Sequence, residues 1–321
     1  MQRILIVYNP NSSQYVHIKN DFFAVLPTIK SATIGKFAIT KAPFSTNVAR
    51  LKKILRAGDI VIAAGGDATA SVALNAILET EKDITFGALP YGNFNDLART
   101  LGTMKKEDIL DFLDSLNVEP KSKALSDACP TIKTLYPLDV IVNGGHWRYA
   151  SGYVTIGMTA TACAIFDEPK FRKSMQKGHK SSWRSYLALA KWYFKNRHKK
   201  TFLPDFSVNG VREPRGTSDY AAVNGRSMSR IMKGGDDFLK PQIFRSETEK
   251  TTNFIKLCVL MMKSIFSRVP GENTTRDILE FDCPAAVTIQ AEGEYQTFKN
   301  TRTIEIVKPQ KSIKVIFKKG E

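Results

Sequence analysis

Asp59-Ile60-Val61-Ile62-Ala63-Ala64-Gly65-Gly66-Asp67-Ala68-Thr69 decides the fold. Its apolar beginning reads as a buried strand, the glycine pair as a loop, and Ala70 to Glu79 as the helix that follows. Adjacent glycines let backbone approach a ligand and open φ values closed to other residues. The first amides of the following helix then present unpaired donors and a partial positive charge, so a phosphate is expected there. The arrangement repeats at once. Ile84 to Leu89 reads as a strand, Pro90-Tyr91-Gly92-Asn93-Phe94-Asn95-Asp96 as a polar loop, and Leu97 to Leu101 as the start of a helix. Each loop delivers one aspartate to the carboxyl ends of parallel strands, where open α/β sheets bind their ligands.

Outward from this unit, strand and helix patterns alternate from residue 1 to about 127: a strand Ile4 to Tyr8 ending at Asn9-Pro10, an amphipathic helix Val48 to Leu55, and a last helix Lys105 to Leu116. Alternation of this kind implies a parallel sheet covered by helices. The pattern changes over residues 128–300. Leu138 to Tyr149 reads as a hairpin with a glycine turn, Phe206 to Val211 as another, and Tyr153 to Gly157, Tyr220 to Val223, Phe254 to Val259 and Val287 to Gln290 as short strands. The second domain is therefore expected to be antiparallel β. Two closing strands, Arg302 to Val307 and Ile313 to Phe317, fit either domain by periodicity alone.

The 321 residues carry 47 Lys+Arg against 31 Asp+Glu, a net charge of +16. That balance calls for a polyanionic partner: nucleic acid, nucleotide phosphates or an anionic membrane. No recognised nucleic-acid-binding motif accompanies the charge, so nucleic acid is not expected; a second copy of the chain remains compatible with the sequence. Cys129, Cys163, Cys258 and Cys283 are far apart, which excludes a C-x-x-C zinc site and a secreted disulfide framework. With no signal peptide evident, a cytoplasmic setting is expected. The longest apolar cluster, Phe254 to Met262, falls short of a membrane span, so any bilayer contact is peripheral. Between Glu168 and Asp205 there is no acidic residue, and the basic residues alternate with aromatics at helical spacing. Trp183, Lys191, Trp192 and Lys195 are the expected membrane contacts of this basic helical insertion near residues 170–200. A helix whose aromatic face closes the domain core and whose lysines are merely solvated accounts for the same pattern.

Gly65-Gly66-Asp67-Ala68-Thr69, followed by Pro90-Tyr91-Gly92-Asn93-Phe94-Asn95-Asp96-Leu97-Ala98-Arg99, resembles the diacylglycerol kinase catalytic-domain family of lipid kinases. Gln290-Ala291-Glu292-Gly293-Glu294 is similar to that family's Asp-Gly-Glu, and Asn9-Pro10 with Ser12, Thr40, Gly157 with Ala160, and Asn224-Gly225 are weaker points of likeness. The resemblance implies a two-domain lipid kinase/NAD kinase-like fold: a Rossmann-like N-terminal α/β domain and a C-terminal antiparallel β-sandwich, with the closing segment 301–321 returning to the first domain. It also implies transfer of the γ-phosphoryl of ATP, with Mg²⁺, to a lipid hydroxyl, most readily diacylglycerol giving phosphatidic acid. The chemistry needs positioning, charge neutralisation and a base on the acceptor more than covalent help.

Carried over by position, the nucleotide would meet Asn9, Thr40, Gly65, Gly66, Asp67, Thr69, Gly92, Asn95 and Asp96. Asp67 and Asp96 would hold the metal, and Glu294 or Glu292 would be the base, with Glu294 favoured because its residue type is unchanged. Helix N-capping explains Asp67 or Asp96 singly but not both together with a distant Glu-Gly-Glu. Ala68 departs from the family's glycine and is expected to cost about 1 kcal/mol if its φ is positive. Asn93 and Phe94 enlarge the second loop, and the stretch after Gly235 lacks the acidic pattern of a second, structural metal. These departures leave an alternative: a catalytically impaired relative that binds anionic membranes or nucleotide. NAD kinase shares the Gly-Gly-Asp element but not the Ala-Arg helix that follows Asn95-Asp96.

Overall fold

The structure, a computed structural model, describes residues 2–12, 14–24, 26–28, 32–92, 95–115, 130–163, 187, 191–192, 194–195, 203–213, 217, 219–225, 227–228, 232–233, 243–246, 271–308 and 311–318. The chain divides into two compact units, Met1–Tyr136 with Gln310–Glu321, and Pro137–Pro309.

The first unit begins with β1 (Gln2–Tyr8), a short α1 (Tyr15–His17) running into a π-helical turn (Ile18–Phe22), and β2 (Ala32–Ala38). Then come α2 (Phe44–Ile54), β3 (Ile60–Gly65), α3 (Asp67–Leu78), β4 (Thr85–Pro90), α4 (Asp96–Thr100), α5 (Lys106–Ser115) and β5 (Thr131–Leu135). β1, β2, β3 and β4 are mutually parallel in the order β2-β1-β3-β4. Every residue of β3 is buried, as expected for a central parallel strand covered on both faces. α3 is apolar nearly all round and buries ten of its twelve residues, whereas α2 buries one stripe, Asn47, Val48 and Leu51.

The second unit holds β6 (Leu138–Val142), β7 (Gly145–Ala150), β8 (Tyr153–Gly157), α6 (Met158–Ala162), β9 (Phe206–Val208), β10 (Val211–Arg212) and β11 (Asp219–Val223). β12 (Ser227–Met228), β13 (Met232–Lys233), β14 (Ile243–Ser246), β15 (Gly271–Thr274), β16 (Arg276–Ala291) and β17 (Glu294–Val307) complete it. One antiparallel ladder, β15-β14-β11-β8-β16-β17-β6-β7, forms its body, and β9 pairs with both β10 and β16. The β6–β7 turn is Asn143-Gly144, both at positive φ, the pairing that a two-residue hairpin matched to strand twist requires. β16 is long enough to serve two neighbours: Leu279–Phe281 pair with β9 and Ile289–Ala291 with β8. Register shifts between Glu280 and Val287 separate the two pairings and bend the strand between them. One buried cluster, including Leu138, Val154, Phe206, Leu279, Val287 and Ile304, collects side chains from both halves of the ladder.

From β17 the chain returns to the first unit as β18 (Ile313–Phe317), which lies between β4, parallel, and β5, antiparallel. The boundaries therefore differ from the sequence expectation. β5, read as part of the second domain, belongs to the first. Of the two closing strands, Arg302 to Val307 stays in the second unit as the end of β17, paired with β6 and β16. The expected strand Phe254 to Val259 lies outside the described residues.

Candidate active site

Strand register gathers the loop residues of the first unit. Tyr8 lies opposite Ala38 and Ala64, and Gly65 opposite Pro90, so the segments leaving β1, β2, β3 and β4 emerge at one carboxyl edge. The strand order reverses between β1 and β3, and such a switch point leaves a crevice for ligands. Asn9, Thr40, Gly65 to Asp67, and Gly92 to Asp96 all follow those strand ends.

The two glycine loops are interlocked. A β-carbon on Gly92 would sit 2.2 Å from the Gly66 Cα, and one on Gly66 would sit 3.1 Å from the Gly92 Cα. Tyr91 N–H donates to the Gly65 carbonyl at 3.1 Å, and Leu97 N–H donates to Asp67 Oδ1 at 3.2 Å. Asp67 thus ties the first residue of α3 to the first turn of α4 while staying half-exposed. Gly66 is the extended N-cap of α3. Ala68 is the second residue of that helix, has no positive φ and is exposed, so the strain expected of it is absent. Thr69 is buried, with its side chain directly under Gly65, where a β-carbon would meet Thr69 Oγ1 at 2.5 Å. It wedges the loop rather than lining the crevice.

Asn95 closes the second loop. It takes the left-handed conformation at φ 55°, ψ 41°, which asparagine tolerates better than most residues. Its Oδ1 accepts Gly92 N–H at 2.7 Å, and its Nδ2 donates to the carbonyls of Gly92 at 2.7 Å and Pro90 at 3.3 Å. Asp96 is buried and ion-paired with Arg99. Asn93 and Phe94 lie outside the described residues. Tyr91, which directly follows β4, has its phenol pushed up to about 12 by burial, then by the charges of Asp21 and Glu107. These three residues line a cleft of about 250 Å³ together with Leu89, Pro90 and Met104.

Sequence reading missed Asn47 and Arg50. Asn47 Oδ1 accepts Thr40 N–H at 3.0 Å, its Nδ2 donates to Ala42 O at 2.9 Å, and Arg50 reaches Thr40 Oγ1 at 3.2 Å. The signal was there: an asparagine in a helix that turns its amide to the preceding loop is disfavoured unless that loop needs it. Asn9, half-exposed, folds its own loop by accepting Asn11 N–H at 2.9 Å.

Glu292 and Glu294 belong to the second unit, at the β16–β17 turn, and have different environments. Glu292 is buried at φ 53°. Its Oε1 accepts the N–H groups of Ser151 at 2.7 Å and Gly152 at 2.8 Å, together with the Ser151 hydroxyl. Asn224 holds the same β7–β8 turn, its Nδ2 donating to Ser151 O at 2.8 Å. Glu294 is half-exposed at the start of β17. Arg148, also missed in the sequence, is buried beside both carboxylates: burial pulls its guanidinium down to about 10, against the opposing pull of Glu294 and then Glu292. Trp183 lies outside the described residues; Lys191 and Lys195 are helical and exposed, and Trp192 is half-buried.

Parallel strands with interlocked glycine loops at their carboxyl edge, and helices starting from those loops, define a doubly wound, Rossmann-like α/β domain. Residues 3–125 match the model of the diacylglycerol kinase catalytic domain. A diacylglycerol kinase of Bacillus subtilis (strain 168) is 36% identical over 118 residues, which are 36% of this chain and 38% of that relative's length. Solved structures of a Bacillus anthracis str. Sterne protein assigned as a diacylglycerol kinase share the fold. One covers 98% of this chain and 96% of its own at a TM-score of 0.63 and 14% identity, and another reaches 0.59, also at 14% identity.

Proposed function

We propose that the protein is an ATP-dependent lipid kinase that phosphorylates the hydroxyl of a membrane lipid, with diacylglycerol as the preferred acceptor and phosphatidic acid as the product. The observation that carries this reading is the backbone contact between Gly66 and Gly92 in the segment that matches the kinase family. Side chains are excluded there, and α3 begins at the same edge, which suits a polyphosphate. When bound, Mg²⁺-ATP supplies the transferable phosphoryl group and the cation that neutralises it.

Asp67 suits the metal, because Mg²⁺ commonly takes one or two carboxylates and completes its shell with phosphates and water. Asp96 suits it less, being buried against Arg99. No group of three or more His, Cys, Asp or Glu that could form an all-protein cation cage occurs among the described residues. In this reading Glu294 takes the proton of the acceptor hydroxyl, because its carboxylate is half-exposed while Glu292 is committed to the Ser151–Gly152 turn.

Thin-layer separation of labelled products, after incubation with labelled ATP, a total lipid extract and NAD, tests the reading. Labelled phosphatidic acid from the wild type, absent with Asp67→Asn and Glu294→Gln, is expected. Label in no lipid at all would refute it, and label in NADP would reassign the enzyme.

A further inference from the structure

We infer that Arg50 is a further nucleotide-binding residue, holding the polyphosphate at the corner where β2 gives way to α2. This deepens the lipid-kinase reading and rests on it only for the nucleotide being ATP. Thr40 is the residue expected at that corner, but its hydroxyl is used up within its own loop. It donates to Asn47 Oδ1 at 3.2 Å and accepts from Ala42 N–H at 3.3 Å and from Arg50 Nη1 at 3.2 Å. One donor and two lone pairs are all that a hydroxyl has. Arg50 has five N–H donors, and only those on Nη1 hydrogen-bond to described residues, to Thr40 and, at 3.4 Å, to Asn47 Oδ1.

The loop does not need Arg50 to hold its shape. Asn47, buried, already accepts Thr40 N–H at 3.0 Å and donates to the carbonyls of Thr40 at 3.2 Å and Ala42 at 2.9 Å. Yet the exposed Arg50 side chain turns back over that loop, its guanidinium carbon 5.3 Å from the centre of the Phe37 ring. An arginine fixed through one nitrogen and against an aromatic face keeps the rest of its fork for an anion, and that fork matches phosphate geometry. The place suits one. Ala38, Tyr8 and Ala64 lie side by side across β2, β1 and β3. Thr40 follows Ala38 by two residues and Gly66 follows Ala64 by two, so two strand spacings, about 10 Å, separate the Arg50 corner from the start of α3. A nucleoside polyphosphate bridges that width, with one end on the α3 N-terminus and the other on the guanidinium.

The test is calorimetric titration of the full chain, in the absence of lipid, with Mg²⁺-ATP and with inorganic triphosphate. Wild type is compared with Arg50→Ala and Arg50→Lys, each also melted without ligand. Arg50→Ala should weaken both ligands about tenfold or more, as the loss of a charge-assisted hydrogen-bonding group implies. Arg50→Lys, which keeps the charge but not the fork, should recover part of that loss. Because Arg50 is exposed, Arg50→Ala should melt within about 2 °C of wild type. Unchanged ATP affinity in Arg50→Ala overturns the inference, as does a wild type that binds neither ligand. So does weaker ATP binding with triphosphate binding unchanged, which would put Arg50 on the ribose or base. Weaker binding that tracks a fall in the ligand-free melting temperature also overturns it, because Arg50 would then be a strut of the loop. If Arg50→Ala behaves as expected but the wild type phosphorylates no lipid, the kinase reading fails and the Arg50 contact stands. If lipid is phosphorylated and the KM for ATP is unchanged in Arg50→Ala, the kinase reading stands and the inference fails.

Discussion

A β-carbon on Gly92 would collide with backbone, which cannot rotate away, so Gly92→Ala must push the two glycine loops apart. Overpacking of this kind costs on the order of 3 kcal/mol. Gly66→Ala, whose β-carbon would stop at 3.1 Å, should cost clearly less. Denaturant unfolding and ATP-induced thermal shifts of the two variants check this order, and Gly92→Ala should also lose the nucleotide response. Ala68 shows the opposite outcome of the same reasoning: the glycine it replaces is not needed, because the position already lies inside a helix. Ala68→Gly should therefore lower stability by about 1 kcal/mol and leave turnover unimproved. In the second unit, Asp219 is wholly buried, accepting the Thr159 N–H at 3.0 Å and its hydroxyl at 2.5 Å. Burial pushes its carboxyl up to about 7 against those bonds, from 3.8. The folded state holds this proton where the unfolded chain has released it, so the associated stability is complete below about pH 4 and is lost as pH rises through about 7. Wild type should lose up to about 1.4 kcal/mol per pH unit from this group across that window. Asp219→Asn should remove that contribution, seen as a smaller shift of the urea midpoint between about pH 5 and about pH 8.

At the scale of the element, the β16–β17 turn shows why two glutamates separated by one glycine do different work. Glu292 is the bond between two turns: its carboxylate takes the amides that the β7–β8 turn would otherwise leave unsatisfied. Glu292→Ala should destabilise the second unit by about 2–4 kcal/mol, since it removes hydrogen bonds to a charged acceptor and strands buried donors. Glu294→Gln should change stability by less than about 0.5 kcal/mol and still abolish phosphoryl transfer. Melting and product formation measured on both variants separate an anchor from a base. The sequence displayed this turn as Glu-Gly-Glu but did not reveal the division, because Ser151 and Gly152 are more than a hundred positions away and only the β8–β16 pairing brings them near. By contrast, β3, its glycine loop and α3 were legible except at one join: the helix read from Ala70 begins at Asp67 and takes in Ala68. Everything that determines that unit is local: a continuous apolar run, two glycines and a helical pattern in unbroken succession. The Asn47–Thr40 clamp falls between these cases, since it spans seven residues and left its trace only as a polar residue on the buried stripe of α2.

Across the whole molecule, the sequence showed two domains but not where the chain passes between them. Arg302 to Val307 and Ile313 to Phe317 have similar β character, and a strand's periodicity describes its faces, not the neighbour at its edge. The ladder partners decide: β17 extends a hairpin begun by β16, whereas β18 fills the place between β4 and β5. That position makes the last strand of the chain an interior strand of the first unit's sheet. Ile313, Val315, Ile316 and Phe317 are all buried, and burial of four such side chains contributes roughly 6–12 kcal/mol. This is comparable to the entire stability of an ordinary domain, so a chain ending at residue 311 cannot fold its first unit around the gap. The second unit keeps both strands of its central hairpin and its own buried cluster, and it should fold regardless. Proteolysis of the truncated protein should therefore leave a resistant fragment covering the second unit, while the ATP-induced thermal shift of the full chain disappears. Retention of that shift would mean that the glycine loops are held in place without the strand that completes their sheet, contrary to the pairing of β18 with β4.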